Sequence, residues 1–218
     1  VMIVIEANGA RMPALGFGTS GLKGEVAAAM VEHALGVGYR HADTAAAYGN
    51  EAEVGEGLRR SSVPRDRVWL TTKIWHDRLR RDDFLADAED RVRVLGTEPD
   101  LLLIHWPNAE VPLAETIGAL DEAARRGLAS HVGISNFPSA LIREAVALSA
   151  RPLVTNQVEY HPGLDQGAVL GALAEAGMAL TAYSPIAKGA VARDPVILRI
   201  AEAHGRTPVQ VTLRWLVQ

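Results

Sequence analysis

The chain has no cysteine among its 218 residues. That excludes a disulfide framework, thiolate catalysis and a Cys-based zinc site. It has no apolar stretch near the ~20 residues that span a bilayer, so no membrane partner is expected. It also lacks a basic stripe with interleaved aromatics; Lys and Arg are scattered and the net charge is −4, which gives no support to nucleic-acid binding. The short cluster Arg78-Leu79-Arg80-Arg81 reads as solvated surface rather than an anion site. The opening segment Val1–Glu6 is too short for a signal peptide, and a soluble cytoplasmic protein is the expectation. No linker, low-complexity tract or second domain is visible. With 48% hydrophobic and 22% charged residues, 1–218 can bury one sizeable core and is expected to form a single domain.

What is present is a recurring unit. Six short apolar runs end in a polar residue capable of chemistry: Tyr39–Asp43, Val68–Lys73, Leu101–His105, His131–Asn136, Leu153–Gln157 and Met178–Ser184. Between them lie segments of helical periodicity. The runs are β-branched or leucine-rich without alternation, as befits strands buried on both faces. In a parallel β/α barrel all C-terminal strand ends open onto one face, so residues far apart in sequence are aimed at one pocket. The expected fold is therefore α/β, a (β/α)8 barrel.

Asn8-Gly9 between two apolar runs predicts an N-terminal β-hairpin. The barrel is expected to start at Leu15–Gly18, followed by a helix over Glu25–Val37 with Val26, Met30, His33/Ala34 and Val37 at helical spacing. Asn50 with Glu53 predicts an N-cap and capping box for a helix reaching about Arg60. Further helices are expected at Asp82–Leu95, Leu113–Arg126, Pro138–Leu148, Gln166–Ala176 and Pro195–His204. Thr207-Pro208-Val209-Gln210 reads as N-cap, first-turn proline and capping box, opening a helix with Val209, Leu213 and Leu216 on one face. Seven strands follow the hairpin, so the barrel is expected to be truncated before its last strand and helix.

Gly16-Phe17-Gly18-Thr19-Ser20-Gly21 matches G-x-G-x-x-G and places Asp43 near the position of a ribose-binding acid. The next helix opens only near Gly24-Glu25, so its N-terminus would not face a pyrophosphate, and the Rossmann reading is set aside. No H-x-H or H-E-x-x-H occurs, so no metal is expected; a G-x-S-x-G elbow is absent too. A retaining glycosidase needs two carboxyl groups about 5 Å apart, but the fourth and seventh strand ends offer His105 and Tyr183.

Asp43, Tyr48, Lys73 and His105 form the candidate chemical centre. A phenol, with a pKa near ~10, is a poor proton donor or acceptor at neutral pH. A lysine cation beside it favours the phenolate, and a carboxylate can hold that lysine. A histidine at the next strand end can orient a substrate oxygen. Taken singly, each residue also has a structural explanation: an ion pair, a loop aromatic, a satisfied strand-end histidine. Their joint placement on adjacent strand ends favours a site.

Several motifs resemble the aldo-keto reductases: Gly38-Tyr39-Arg40-His41-Ala42-Asp43-Thr44-Ala45 with Tyr48-Gly49-Asn50-Glu51, then Thr71-Thr72-Lys73-Ile74-Trp75 and Leu103-Ile104-His105-Trp106-Pro107. Val132-Gly133-Ile134-Ser135-Asn136-Phe137, Thr155–Pro162, Ala182-Tyr183-Ser184-Pro185 and Thr207–Leu216 continue it along essentially the whole chain. Within that family it is most similar to the bacterial 2,5-diketo-gluconate reductase and methylglyoxal reductase group. The resemblance implies NADPH-dependent reduction of aldehydes or ketones, with small dicarbonyls or keto-sugars as substrates. Tyr48 would be the proton donor, tuned by Lys73 and Asp43, with His105 orienting the carbonyl. Ser135, Asn136 and Gln157 would bind the nicotinamide carboxamide, Tyr183 would stack on its ring, and Thr19, Ser184 and Ile186 would border the cofactor. Trp75 and Trp106 would wall the substrate pocket, with Ser20 where many relatives carry an aromatic residue. The family's contacts to the adenosine 2′-phosphate fall beyond Gln218, so NADH stays open beside NADPH. A monomer is expected. The rival reading is a non-enzymatic nicotinamide-binding sensor subunit.

Overall fold

Two strands, β1 (Val4–Ala7) and β2 (Ala10–Pro13), open the computed structural model, which describes residues 2–218; Val1, part of the segment weighed above as a leader, lies outside them. Ala7 pairs with Ala10 antiparallel, leaving Asn8 and Gly9 as a two-residue turn with φ of 46° and 85°. Tight hairpins demand this left-handed geometry. The Asn8 amide also donates to Leu153 O at 2.7 Å and Ala176 O at 3.0 Å, docking the hairpin tip on the barrel. Ala10 and Met12 then pack with Trp69, Leu101, Leu103 and Val154 to close the barrel floor.

Seven parallel strands follow: β3 (Phe17–Gly18), β4 (His41–Asp43), β5 (Trp69–Ile74), β6 (Leu101–Ile104), β7 (His131–Ser135), β8 (Leu153–Glu159) and β9 (Ala179–Tyr183). Each bonds to the next in chain order, forming a nearly closed barrel. That order has no reversal, so there is no Rossmann switch point. Gly16 of the glycine run instead lies under the His41 ring, where an added Cβ would sit 3.1 Å from Nδ1.

Helices α1 (Gly24–Gly36), α2 (Glu51–Arg60), α3 (Arg81–Leu95), α4 (Leu113–Arg125), α5 (Ser139–Leu148) and α6 (Gly167–Glu175) alternate with the strands, and α7 (Pro195–Ala203) and α8 (Pro208–Leu216) follow β9. Among the described residues no helix is long and apolar enough to cross a membrane. Strand β5 shows how two faces are used. Trp69 joins the barrel interior, Leu70 packs with Val31 and Val54 of α1 and α2, and Ile74 joins the cluster of Phe84 and Ile117 outside.

Two sequence expectations are corrected. Along α1 and its C-cap most of the apolar stripe misses the core: Val26, Met30 and Val37 are exposed, while Ala34 of the stripe is buried together with Ala27, Ala28, Val31 and Leu35. The reason is close approach, since a Cβ on Gly57 of α2 would stand 2.5 Å from Ala28 O. Ala28 and Val31 fill that contact, and only glycine fits opposite them. And Asn50 stands at the N-cap of α2 without capping it. Its side chain turns inward, donating to Thr19 O and Leu22 O at 2.8 and 3.0 Å and accepting from Thr44 Oγ1 at 2.9 Å. The Thr207–Gln210 capping box forms as expected.

Candidate active site

At the C-terminal end of β5, Lys73 points into the barrel and is fully buried. Burying an ammonium is costly unless it is paired and hydrogen-bonded. Nζ donates to Asp43 Oδ1 at 2.5 Å and Thr44 O at 2.8 Å, and lies 3.5 Å from the Tyr48 hydroxyl. It also sits 5.1 Å from the Tyr48 ring centre. Tyr48 closes a single 3-10 turn after β4, with Gly49 in the left-handed region at φ 58°. Lys23 donates to the Tyr48 carbonyl and ties this turn to the β3–α1 loop.

His105 follows β6 and meets Tyr48 edge-on with ring centres 5.8 Å apart. Trp75 meets the same imidazole edge-on at 4.9 Å. Burial, and secondarily the Lys73 charge, push His105 down from 6.5 to about 4, so the ring is neutral at physiological pH. Its Nδ1 is buried without a hydrogen-bond partner. Asp43 and Tyr48 thus meet at Lys73, and His105 faces the Tyr48 phenol.

The remaining strand ends form a continuous polar arc. Gln157 Nε2 crosses from β8 to donate to Asp43 Oδ2 at 2.7 Å, so both carboxylate oxygens are satisfied. Ser135 Oγ donates to Gln157 O at 2.8 Å. Asn136 donates from Nδ2 to His105 O and to Ser135 Oγ, both at 3.0 Å, and accepts from the Tyr183 hydroxyl at 2.9 Å. Asn136 (φ 63°) and Ser184 (φ 49°) hold left-handed backbone at the ends of β7 and β9. Non-glycine residues in that conformation cluster at ligand sites because the surrounding structure must enforce it. Burial raises the Tyr183 phenol above its ordinary value.

Thr19 is buried, with its hydroxyl and its amide both donating to Asp43 O at 3.0 Å. Ile186 and Ser184 are half-buried after β9, and Ser20 is exposed beyond β3. Trp75 is half-buried against His105, whereas Trp106 is 42% exposed and borders solvent. Sequence reasoning missed Asn50, which knits Thr19, Leu22 and Thr44 together two residues past Tyr48. It missed Glu51 as well, a carboxylate 3% exposed. An acidic residue in a first helical turn looks like a partner for the helix dipole, and no local signal marks it as buried.

Comparison with known proteins identifies the family and the fold. The profile of the aldo/keto reductase family matches residues 14–218. The methylglyoxal reductase DkgB of Escherichia coli O157:H7 is 42% identical over 208 residues, covering 94% of this chain and 78% of that protein. A crystal structure assigned as a 2,5-diketo-D-gluconic acid reductase B superposes with a TM-score of 0.97 at 50% identity, over 100% of this chain and 78% of that one. The Bombyx mori aldo-keto reductase in complex with NADP gives a TM-score of 0.90 at 29% identity, over 99% of this chain and 80% of that one.

Proposed function

The chain belongs to the aldo/keto reductase family and is a carbonyl-reducing oxidoreductase, and from that premise we propose that it reduces small aldehydes or dicarbonyls with NADPH, Tyr48 donating the proton. The carrying observation is the buried Lys73 ammonium, held by Asp43 and lying 3.5 Å from the Tyr48 hydroxyl. A cation there stabilises the phenolate left when the proton departs, and the low-dielectric wall strengthens the effect.

The donor set fits a nicotinamide. Ser135, Asn136 and Gln157 converge at the ends of β7 and β8 with an amide-and-hydroxyl array complementary to a carboxamide, beside the half-buried Tyr183 ring. When bound, the reduced cofactor supplies the hydride. The chain's own residues do the rest. Neutral His105 hydrogen-bonds and orients the carbonyl oxygen; Tyr48 delivers a proton to it; Asp43 keeps Lys73 in place; Trp75 walls one side of the pocket and excludes water. Trp106, Ser20, Thr19, Ser184 and Ile186 border substrate and cofactor in this reading. The names of the relatives, reductases of methylglyoxal and diketogluconate, support a small dicarbonyl or keto-sugar substrate, and they favour an enzyme over a sensor subunit. A cytoplasmic monomer completes the proposal.

Tyr48→Phe tests it. Loss of the acid is expected to lower kcat for methylglyoxal by about 10²–10⁴-fold while NADPH binding, followed by tryptophan quenching, is retained. A variant with full kcat would refute the role of Tyr48. Parallel titrations with NADPH and NADH decide the cofactor.

A further inference from the structure

Glu51, three residues past Tyr48 at the first position of α2, accepts from Thr72 Oγ1 through Oε1 and from Arg91 Nη1 of α3 through Oε2. Arg91 also lies 3.0 Å from Asp87 Oδ1 through Nη2 and donates from Nε to Asp87 O at 3.2 Å. Asp77 and Arg78 line the same cleft as Asp87 and Arg91. Thr72 precedes Lys73 on β5, so its side chain leaves the opposite face of the strand. A buried ionic chain therefore backs the strand whose inner face carries the Lys73 ammonium. Burial pushes the Glu51 and Asp87 carboxyls up. Such a network is a weak stabiliser, because desolvation offsets the attraction, and a well-packed apolar trio would serve stability as well. What it supplies is a fixed position.

We infer that Glu51, acting through Thr72 and Arg91, is a positioning residue that sets the separation between the Tyr48 hydroxyl and Lys73 Nζ. The inference rests on the reading of Tyr48 as proton donor. The turn carrying Tyr48 is pinned before and after the tyrosine to three consecutive residues of one strand. On the near side Thr44 N donates to Thr71 O at 2.9 Å and Thr44 O accepts from Lys73 Nζ at 2.8 Å. On the far side Glu51 is held to Thr72. With the far tether cut, Lys23 and Asn50 still hold the turn to the β3–α1 loop, but Thr72 no longer registers it against β5, the strand that carries Lys73. The 3.5 Å contact between phenol and ammonium is at the limit of hydrogen bonding, so a small outward shift of the turn breaks it.

The test compares Thr72→Val, Thr72→Ser, Glu51→Gln and Tyr48→Phe in the full-length protein, with methylglyoxal as substrate at saturating NADPH. Thr72→Val and Glu51→Gln are expected to lower kcat by about ten- to a hundredfold, the scale of a small misplacement of a reacting group. They should also displace the alkaline limb of the kcat–pH profile, while KM and the NADPH dissociation constant stay within about twofold. Thr72→Ser, which keeps the hydroxyl, should restore both kcat and the limb. If Glu51→Gln fails to fold, Thr72→Val carries the test alone, since it leaves the Glu51–Arg91 pair in place. A folded Thr72→Val protein with wild-type kcat and an unmoved limb, beside an inactive Tyr48→Phe, overturns this inference only. A Tyr48→Phe protein with full kcat overturns the donor reading and the inference with it.

Discussion

Cutting the Lys73–Asp43 pair from its two ends should not be symmetric. In Asp43→Asn the ammonium keeps Thr44 O but loses its counter-charge, while remaining 0% exposed. Breaking a buried pair this way costs about 3–5 kcal/mol. In Lys73→Met the surviving carboxylate is 14% exposed and keeps the Gln157 amide at 2.7 Å. Its chief losses are the counter-charge and the donor to Thr44 O, an orphaned acceptor costing about 1–3 kcal/mol. Asp43→Asn should therefore be the more destabilising single change. The double variant should cost about 2–3 kcal/mol less than the sum of the two, since neither unpaired charge remains. Urea unfolding at pH 7, followed by circular dichroism with all m-values compared, reads these differences. Additive costs, or a Lys73→Met protein less stable than Asp43→Asn, would refute the description of a desolvated cation held by one carboxylate.

His105, depressed from 6.5 to about 4, stays unprotonated in the folded protein while the unfolded chain takes up a proton. Stability from this residue is thus complete above about pH 6.5 and is lost as pH falls to 4, by at most about 3 kcal/mol before solvent screening lessens it. Urea midpoints at pH 7 and 5 should draw apart more in the wild type than in His105→Gln; an equal gap counts against it. Gly133→Ala would put a Cβ 2.8 Å from Thr155 O and from Leu103 Cδ2, and overpacking of this kind costs about 1–3 kcal/mol, visible as a lower Tm. Asn8→Asp exchanges an amide donor shared by Leu153 O and Ala176 O for a carboxylate facing both carbonyls. A loss of about 1–3 kcal/mol at pH 7, partly recovered near pH 3, is expected in thermal melts.

The strand ends were legible because chemistry there interrupts apolar runs. Asp43, Lys73, His105, Ser135, Gln157 and Tyr183 all lie within or one residue beyond the C-terminal halves of their strands. Helix periods were legible wherever bulk decides the buried face, as with Phe84, Leu85, Ala88 and Leu95. They misled in α1, where Val26 and Met30 of the apolar stripe are turned outward and Ala27, Ala28, Val31 and Leu35 pack inward, Ala28 against the neighbouring glycine. Local pattern could not show Asn50 abandoning its cap, because its partners Thr19 and Leu22 lie 31 and 28 residues away. Nor could it join Glu51 to Arg91 across 40 residues. Capping is a local preference worth about 1 kcal/mol, and three hydrogen bonds, two of them buried, outweigh it.

The bond from Gln157 to Asp43 spans 114 residues, whereas the pair of Asp43 with Lys73 spans 30. Closing the shorter loop needs only β4, α2 and β5, so the lysine can find its counter-ion early in folding. The longer one waits until the sheet has curled through β8, and contacts of such separation are made late because loop closure must be met first. The carboxylate therefore registers two stages of assembly, one on each oxygen, and its second hydrogen bond forms only in a chain whose far wall has come round to face the near one.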